Sequence, residues 1–129
     1  MDVLKQEKLK FYMRAYSITA ALYTVVNKQL DAGLKLYGLQ NMQWRLLYLI
    51  YVNEQTTSSD IAKRLGTQKA SVTRLVNALE SKGLIKRATD SKDRRKINIE
   101  LTAKGESLTE IGIEKFSQLP EKLALALTE

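Results

Sequence analysis

The sequence has 129 residues and contains no cysteine, no histidine and a single proline, Pro120. Without cysteine there can be no disulfide, thiolate nucleophile or thiol redox sensor, and without both residues the usual zinc ligands are missing. The absence of imidazole also removes the commonest general base and any Ser-His-Asp catalytic set. No Gly-rich phosphate loop is present. Carboxylate-bound Mg²⁺ and catalysis by Lys, Ser or Tyr stay open on composition, but we predict a protein that is not an enzyme and has no cofactor or metal.

Long hydrophobic runs are missing as well. The longest unbroken apolar stretch, Leu46–Val52, is far too short to span a bilayer. The basic residues before Ile18–Val26 resemble a secretory signal only faintly, because Thr19 and Thr24 interrupt the apolar stretch and no small-residue cleavage site follows. We therefore expect a soluble, cytoplasmic protein with no membrane partner, and the length predicts one domain over residues 1–129.

The chain carries 21 Lys and Arg against 14 Asp and Glu, which gives a net charge of +7. Most of this excess lies in residues 54–105, which hold twelve basic and six acidic side chains, whereas residues 106–129 hold two and five. The basic segment predicts an anionic partner, which is nucleic acid, an anionic membrane surface or an acidic protein. A run of charge is also typical of a face that is merely solvated, so this inference needs a motif to support it.

Two helices are predicted before the basic segment. Residues from Leu4 to Leu36 lack proline, and apolar side chains recur there in steps of three and four, so we predict one long amphipathic helix closed by Gly33 and Gly38. A helix of this length needs partners along its surface, which favours an interface. Asn41–Val52 is apolar nearly all round, which predicts a central buried helix.

Two short helices joined by a tight turn follow. The first, Ser58–Leu65, begins after Thr57 as its N-cap and ends at Gly66, and the second covers Gln68–Lys82 with Thr67 as its N-cap. Apolar residues occupy the positions that a helix-turn-helix buries, although any helical hairpin gives a similar pattern: Ile61, Ala62, Leu65, Val72 and Leu75. The positions expected to face solvent carry side chains that bind phosphates and base edges, and the predicted DNA-reading residues are Thr67, Gln68, Lys69, Ser71, Thr73 and Arg74.

A basic hairpin comes next. Leu84–Thr89 and Ile97–Leu101 are predicted strands, and the loop between them is wholly polar. Clustered cations repel one another unless an anion is bound, which favours DNA contact over a merely solubilising loop. The predicted wing contacts to the minor groove are Lys92, Arg94, Arg95 and Lys96. Contacts to phosphates alone are predicted for Lys63, Lys86 and Arg87.

Helix returns from Thr102 and is interrupted by Pro120, which leaves a short helical piece over Glu121–Leu127. The predicted apolar stripe of the helix that starts at Thr102 consists of Leu108, Ile111, Phe116 and Leu119. The predicted fold class is therefore mainly α with a small antiparallel β-hairpin (α+β). Residues 40–101 form a winged helix-turn-helix, which is flanked by helical segments at residues 1–36 and 102–129.

Several segments in this order carry a specific combination of residues: Thr57–Ala62, Ala70–Val76, Gly83–Ile85, Asp90–Arg95 and Ile99–Gly105. Together they resemble the MarR-type transcriptional regulators, and the Asp-Arg-Arg of the wing followed by Leu-Thr-x-x-Gly is the most specific part. The resemblance covers essentially the whole chain. It implies an obligate homodimer whose N- and C-terminal helices interlock, a recognition helix at Gln68–Ser81 and wing arginines at Arg94 and Arg95.

The resemblance also bears on regulation. Family members often release DNA when a phenolic or other aromatic ligand binds between the dimerisation and DNA-binding parts, and composition excludes the cysteine- and histidine-based sensing of other members. The candidate residues for a small aromatic effector are Tyr12, Tyr16, Tyr23, Trp44 and Tyr48. Aromatic residues at helical spacing are also typical of a core or an interface, and a regulator without any ligand fits the sequence equally well.

The function predicted from these features is a homodimeric, sequence-specific transcriptional regulator that binds double-stranded DNA, most often as a repressor. Its recognition helix would lie in the major groove and its wing in the minor groove of a pseudo-palindromic operator. Two alternatives stay open. One is a winged-helix module whose basic face binds an acidic protein, and the other is an architectural protein that binds DNA without sequence preference.

Overall fold

The computed structural model of the chain describes residues 2–52, 57–89, 92, 97–118, 121 and 125. The chain forms two compact units, residues 1–38 and residues 39–129. Within the described residues, no helix is both long enough and apolar enough to cross a membrane.

The first unit is a single 33-residue helix, α1, over Val3–Lys35. It begins after Asp2, whose carboxylate accepts a hydrogen bond from the Leu4 N–H at 3.1 Å and so satisfies one of the unpaired N–H groups of the first turn. The predicted stop at Gly33 is wrong, because that residue lies inside the helix. The helix ends at Lys35 with Leu36 as its C-cap, and the turn that follows ends at Gly38, whose φ of 66° is a left-handed conformation that glycine adopts without strain.

Helix α1 is apolar on two sides, where the sequence predicted one stripe. At about 100° per residue, side chains seven positions apart lie nearly above one another, and a shift of two positions moves to the opposite side. One stripe contains Leu9, Tyr16 and Tyr23, and the other contains Phe11, Ile18 and Val25. All six side chains are exposed, by between 49% and 77%. A helix with two uncovered apolar stripes is not a typical solvated helix and indicates packing on both sides.

Among its described residues, the second unit has four helices and one hairpin in the predicted order. Its elements are α2 (Asn41–Val52), α3 (Ser58–Leu65), α4 (Lys69–Ser81), β1 (Ile85–Thr89), β2 (Ile97–Leu101) and α5 (Ala103–Phe116). The two strands pair in antiparallel register, with Ile85 opposite Leu101 and Thr89 opposite Ile97. This arrangement confirms the predicted fold class, a mainly helical winged helix-turn-helix with a small antiparallel hairpin.

The core of this unit forms around one face of α2, which contacts α3, α4, α5 and β2. Trp44, Leu46, Leu47 and Ile50 are buried on that face. The predicted central position of α2 is confirmed, but the helix is not buried on every side, because Tyr48 and the end of the helix are exposed. Apolar composition alone did not distinguish a helix buried on every side from one that leaves part of its surface uncovered.

Helix α5 packs through small residues, which corrects the predicted apolar stripe. It begins after Thr102, whose hydroxyl oxygen accepts from the Gly105 N–H at 3.0 Å. Its buried residues are Gly105, Thr109 and Gly112. A methyl group at Gly105 would overlap the carbonyl oxygen of Leu84, and one at Gly112 would overlap the Trp44 ring. Of the predicted stripe, Phe116 packs against the Trp44 ring at the end of this face, whereas Leu108 is only half-buried and Ile111 is exposed. Leu119 and most of Glu121–Leu127 lie outside the described residues.

One hydrogen bond between α2 and α5 is expected to make the stability of the fold depend on pH. The Tyr51 hydroxyl donates to Glu110 Oε1 at 3.3 Å. Partial desolvation of the hydroxyl, and after it the Glu110 carboxylate that also accepts this hydrogen bond, raise the pKa of Tyr51 above its ordinary value of 10.0. The folded state therefore holds the phenolic proton more tightly than the unfolded state, so this contribution to stability is present below pH 10.0 and is lost as the pH rises through the raised pKa.

We expect Tyr51→Phe to lower the Tm at neutral pH, because the hydrogen bond to Glu110 is lost. The Tm difference from the wild-type chain should shrink above the ordinary pKa of tyrosine, since ionised Tyr51 is repelled by Glu110 whereas Phe has no proton to lose. Melting curves followed by circular dichroism from neutral to strongly alkaline pH measure this. A Tm difference that stays constant over that range would contradict the prediction.

Candidate nucleic-acid interface

Helix α3 begins with a cap that the sequence predicted. The Asp60 N–H donates to Thr57 Oγ1 at 3.3 Å, and the Thr57 hydroxyl donates to Asp60 Oδ2 at 2.9 Å. The Asp60 carboxylate also lies in the first turn, where the helix dipole favours negative charge. Gly66 ends the helix with φ 66° and ψ 36°, as predicted from the turn. Both ends of α3 are therefore fixed by residues within the motif.

Helix α4 packs on α3 after a short turn, and its N-cap is Gln68. The predicted N-cap, Thr67, is wrong by one residue because its N–H donates to the Ala62 carbonyl at 3.0 Å and so belongs to the end of α3. Val72, Val76 and Leu79 form the buried stripe of α4, at spacings of four and three. Leu75, which was predicted to be buried, is only half-buried.

The predicted DNA-reading residues lie together at the start of α4. Gln68, Lys69, Thr73 and Arg74 are exposed, whereas Thr67 and Ser71 are half-buried. The Thr73 hydroxyl donates to the Lys69 carbonyl at 3.1 Å, and Arg74 Nη2 donates to Ser71 Oγ at 3.4 Å. The side chain of Gln68 makes no capping hydrogen bond, so the positive end of α4 is not closed by its own N-cap.

The charge around this surface is one-sided. Residues 57–89 contain seven basic and two acidic side chains. The two acidic residues are both engaged, since Asp60 caps α3 and Glu80 pairs with Arg87. The first half of α4, Lys69–Leu75, has no acidic residue. An anion that approaches the start of α4 therefore meets Lys69, Arg74 and the helix dipole, and no carboxylate within Lys69–Leu75 repels it.

The hairpin of β1 and β2 follows α4 directly, as a wing requires. The structure describes Lys92, which is exposed, whereas Arg94, Arg95 and Lys96 lie outside the described residues. Ile85 and Ile99 are buried and attach the base of the hairpin to the core. The wing contacts therefore stay a prediction from the sequence.

The three predicted phosphate contacts have different surroundings. Lys63 is exposed on α3. Lys86 is exposed on β1 and lies 3.9 Å from Glu100, its cross-strand neighbour in the register, in a solvated pair of the kind that contributes little to stability. Arg87 differs, because its Nη1 donates to Glu80 Oε1 at 2.5 Å and its Nη2 donates to Asn77 Oδ1 at 2.6 Å. The structure thus directs Arg87 to α4, and Asn77 and Glu80 are residues that sequence reasoning missed.

The candidate effector residues lie on two elements. Tyr12, Tyr16 and Tyr23 are exposed on α1. On α2, Trp44 is buried, and its ring lies edge-on to Phe116 with centroids 5.5 Å apart. Tyr48 is exposed, and its ring centroid lies 6.2 Å from that of Trp44. Packing against Gly112 and Phe116 accounts for Trp44 as a core residue, and a ligand role for any of these residues stays a prediction.

Comparison with known proteins gives consistent results. The MarR family model matches residues 37–96. The uncharacterized HTH-type transcriptional regulator YhbI of Bacillus subtilis is 27% identical over 114 residues, which is 88% of this chain and 74% of YhbI. The HTH-type transcriptional regulator FarR of Neisseria gonorrhoeae is 34% identical over 78 residues, which is 60% of this chain and 53% of FarR.

A solved structure of similar fold is that of MepR from Staphylococcus aureus. In its DNA-binding conformation MepR is 28% identical, and the match covers 87% of this chain and 83% of MepR with a TM-score of 0.80. A MepR variant bound to an oligodeoxyribonucleotide is 32% identical over 84% of this chain and 81% of MepR, with a TM-score of 0.69. The similar proteins are named as regulators of transcription and not as enzymes. The sequence motifs, the fold and these relatives together show that the chain belongs to the MarR family of winged helix-turn-helix transcriptional regulators.

Proposed function

We propose that the chain is a homodimeric transcriptional regulator that binds double-stranded DNA sequence-specifically through α4. The observation that carries this proposal is the exposed start of α4, where Lys69, Thr73 and Arg74 lie on a packed helix-turn-helix and both carboxylates of residues 57–89 are engaged. Side chains of this type on a second helix bind base edges and phosphates in a major groove. The similarity to MepR, whose variant is bound to an oligodeoxyribonucleotide, supports the same assignment.

In this proposal the residues divide by role. Lys69 and Arg74 contact bases or phosphates in the major groove, with Thr67, Gln68, Ser71 and Thr73 around them. The wing residues Lys92, Arg94, Arg95 and Lys96 contact the adjacent minor groove. Lys63 and Lys86 bind phosphates and position the protein on the duplex. Arg87 is not among these phosphate contacts, because Glu80 and Asn77 hold its guanidinium.

The dimer is proposed from α1. Its two apolar stripes are uncovered in the single chain, and a second copy related by a two-fold axis would cover them. In this dimer, residues 40–101 bind DNA, and residues 1–36 and 102–129 form the dimer contact. A symmetric dimer presents two copies of α4 to major grooves about one helical turn apart, so the operator is a pseudo-palindrome. Such a dimer acts in the cytoplasm, and its action as a repressor and its release by an aromatic effector are predictions from the family resemblance.

Selection from a pool of random duplexes tests the function without knowledge of the operator. After several rounds of binding and amplification, we expect a pseudo-palindromic sequence with half-sites separated by about one helical turn, roughly 10 base pairs. Enrichment of a single unpaired half-site would contradict the dimer but retain sequence-specific binding. A pool that stays random would contradict sequence-specific binding itself.

Substitution of a wing arginine tests the hairpin's role. Arg95→Ala is expected to weaken binding to the selected duplex by about 1–3 kcal/mol while the fold and the dimer stay intact, since only a DNA contact is removed. Arg45→Ala is the matched control, because it removes the same charge from an exposed position on α2 that is not among the proposed DNA contacts. Fluorescence anisotropy with labelled duplex measures both affinities. Equal affinities for the two variants would refute the wing contact.

A further inference from the structure

The guanidinium of Arg87 connects the hairpin to α4. Its two terminal nitrogens donate to different acceptors, Nη1 to Glu80 Oε1 at 2.5 Å and Nη2 to Asn77 Oδ1 at 2.6 Å. The two acceptors are three residues apart on α4, so they lie on the same side of the helix. The Arg87 side chain is 33% exposed, and that of Glu80 is 42% exposed. A half-exposed arginine thus meets two acceptors on a single helix face.

We propose that Asn77, Glu80 and Arg87, called here the Arg87 link, are positioning residues that hold the hairpin at a fixed place against the recognition helix. The positioning role rests on the proposed function, because it matters only if α4 and the wing bind the same DNA duplex. None of its three residues needs to touch DNA. The link acts by keeping the distance between the two contact elements constant before DNA binds.

Ile85 on β1 and Ile99 on β2 attach the hairpin to the core, and the Arg87 link adds a polar attachment to α4. A two-stranded hairpin is marginally stable in isolation. The turn between α4 and β1 comprises only Lys82, Gly83 and Leu84, and Ile85 is the buried residue of β1. The Lys86–Glu100 pair joins the two strands to each other, so it cannot fix the hairpin relative to α4. Arginine suits the task because its planar fork presents several N–H donors in a fixed geometry and keeps its charge.

The same geometry opposes a phosphate contact by Arg87. Two of its nitrogens already donate to protein acceptors, and the Glu80 carboxylate neutralises its charge. A phosphate that approached the guanidinium would also meet the negative charge of Glu80 at short range. The two roles therefore predict opposite results when Glu80 is removed. A phosphate contact would become stronger, whereas the Arg87 link would be weakened.

Glu80→Ala separates these roles, with Glu100→Ala as the matched control for loss of one negative charge near the hairpin. Loss of a carboxylate by itself should favour DNA binding, and Glu80 lies near the end of α4, where the dipole disfavours negative charge, so α4 should stay folded. We expect the affinity of Glu80→Ala for the selected duplex to fall about 3- to 10-fold relative to Glu100→Ala. The slope of log affinity against log salt should stay the same, since no phosphate contact is lost.

Asn77→Ala provides a second variant that leaves the net charge unchanged. Alanine is the better helix former at this exposed position, so a loss of DNA affinity cannot be attributed to unfolding of α4. A smaller loss in the same direction is expected, with an unchanged Tm. Hydrogen exchange without DNA gives an independent readout, because the amides of β1 and β2 should exchange faster in Glu80→Ala while those of α2 keep the wild-type rate.

Two outcomes would overturn the link. If Glu80→Ala binds more tightly than Glu100→Ala and with a steeper salt slope, Arg87 is a phosphate contact that Glu80 restrains. If Glu80→Ala and Asn77→Ala show the affinity of Glu100→Ala and the hairpin amides exchange at the wild-type rate, the link has no positioning role. Failure of the wild-type chain to select any duplex would instead contradict the proposed function, and the exchange rates would still test the link.

Discussion

Gly105→Ala is expected to destabilise the second unit by about 3 kcal/mol, as overpacking against a rigid neighbour does, and to lower the yield of folded protein. A methyl group at this position would overlap the carbonyl oxygen of Leu84. That oxygen is a backbone atom and also accepts a hydrogen bond from the Thr102 N–H at 3.0 Å, so it cannot move aside without breaking the junction between β2 and α5. The expected loss runs against intrinsic propensity, since alanine is favoured over glycine in a helix by about 1 kcal/mol.

Urea denaturation measures the free energy of unfolding for this variant. Ser107→Ala is the control, because it places alanine at an exposed position of the same helix and should leave stability unchanged or slightly raised. The free energy of unfolding should fall in Gly105→Ala and stay the same or rise in Ser107→Ala, which distinguishes steric overlap from helix propensity. A Gly105→Ala protein as stable as the wild type would show that α5 does not approach the turn before β1 as closely as described.

Tyr16→Glu is expected to convert the dimer to a monomer and to reduce affinity for the selected duplex by about 100-fold or more, because two linked DNA-binding sites gain affinities of that order over one. Tyr16 is 63% exposed in the single chain and lies in the middle of one apolar stripe of α1. The substitution therefore costs the monomer little, while in the dimer it would place two like charges in an apolar contact. Leu22 and Val26 are less suitable positions for this test, because both are half-buried in the single chain and would confound dimer loss with unfolding.

Light scattering gives the mass of the variant, and anisotropy gives its DNA affinity. Ser17→Glu is the matched control, because it introduces the same charge at an exposed neighbouring position between the two stripes. It should stay dimeric and bind DNA nearly as the wild type does. Tyr16→Glu that keeps the dimer mass would exclude this stripe from the dimer contact.

The parts of the fold that the sequence predicted well depend on neighbours along the chain. Thr57 and Asp60 are three residues apart, so their reciprocal hydrogen bonds require only the first turn of α3. Gly66 ends that helix for an equally local reason, its left-handed backbone. The alternation of Ile97–Leu101 likewise predicted β2 with its correct bounds.

The errors arise where packing between distant elements decides the outcome. Hydrophobicity predicted that α5 packs through Leu108, Ile111, Phe116 and Leu119, and Phe116 does pack on the Trp44 ring. At Gly105 and Gly112, however, the backbone of Leu84 and the ring of Trp44 come so close that only glycine fits. The acceptors of Arg87 could not be found from spacing, because they depend on how the turn after α4 directs β1 back along the helix. The second stripe of α1 was visible in the sequence as Phe11, Ile18 and Val25, and a search at a spacing of seven would have found it.

The most direct test of DNA recognition by α4 is the ratio of affinities for the selected duplex and for a scrambled duplex of the same composition, measured over a series of salt concentrations. We expect a ratio of about 10³ or more near physiological salt and a linear fall of log affinity with log salt for both duplexes. A ratio near one with the same salt dependence would identify an architectural DNA-binding protein and contradict sequence-specific recognition. Binding too weak to measure on either duplex would contradict DNA binding by this chain. It would leave an acidic protein as the partner of the basic face.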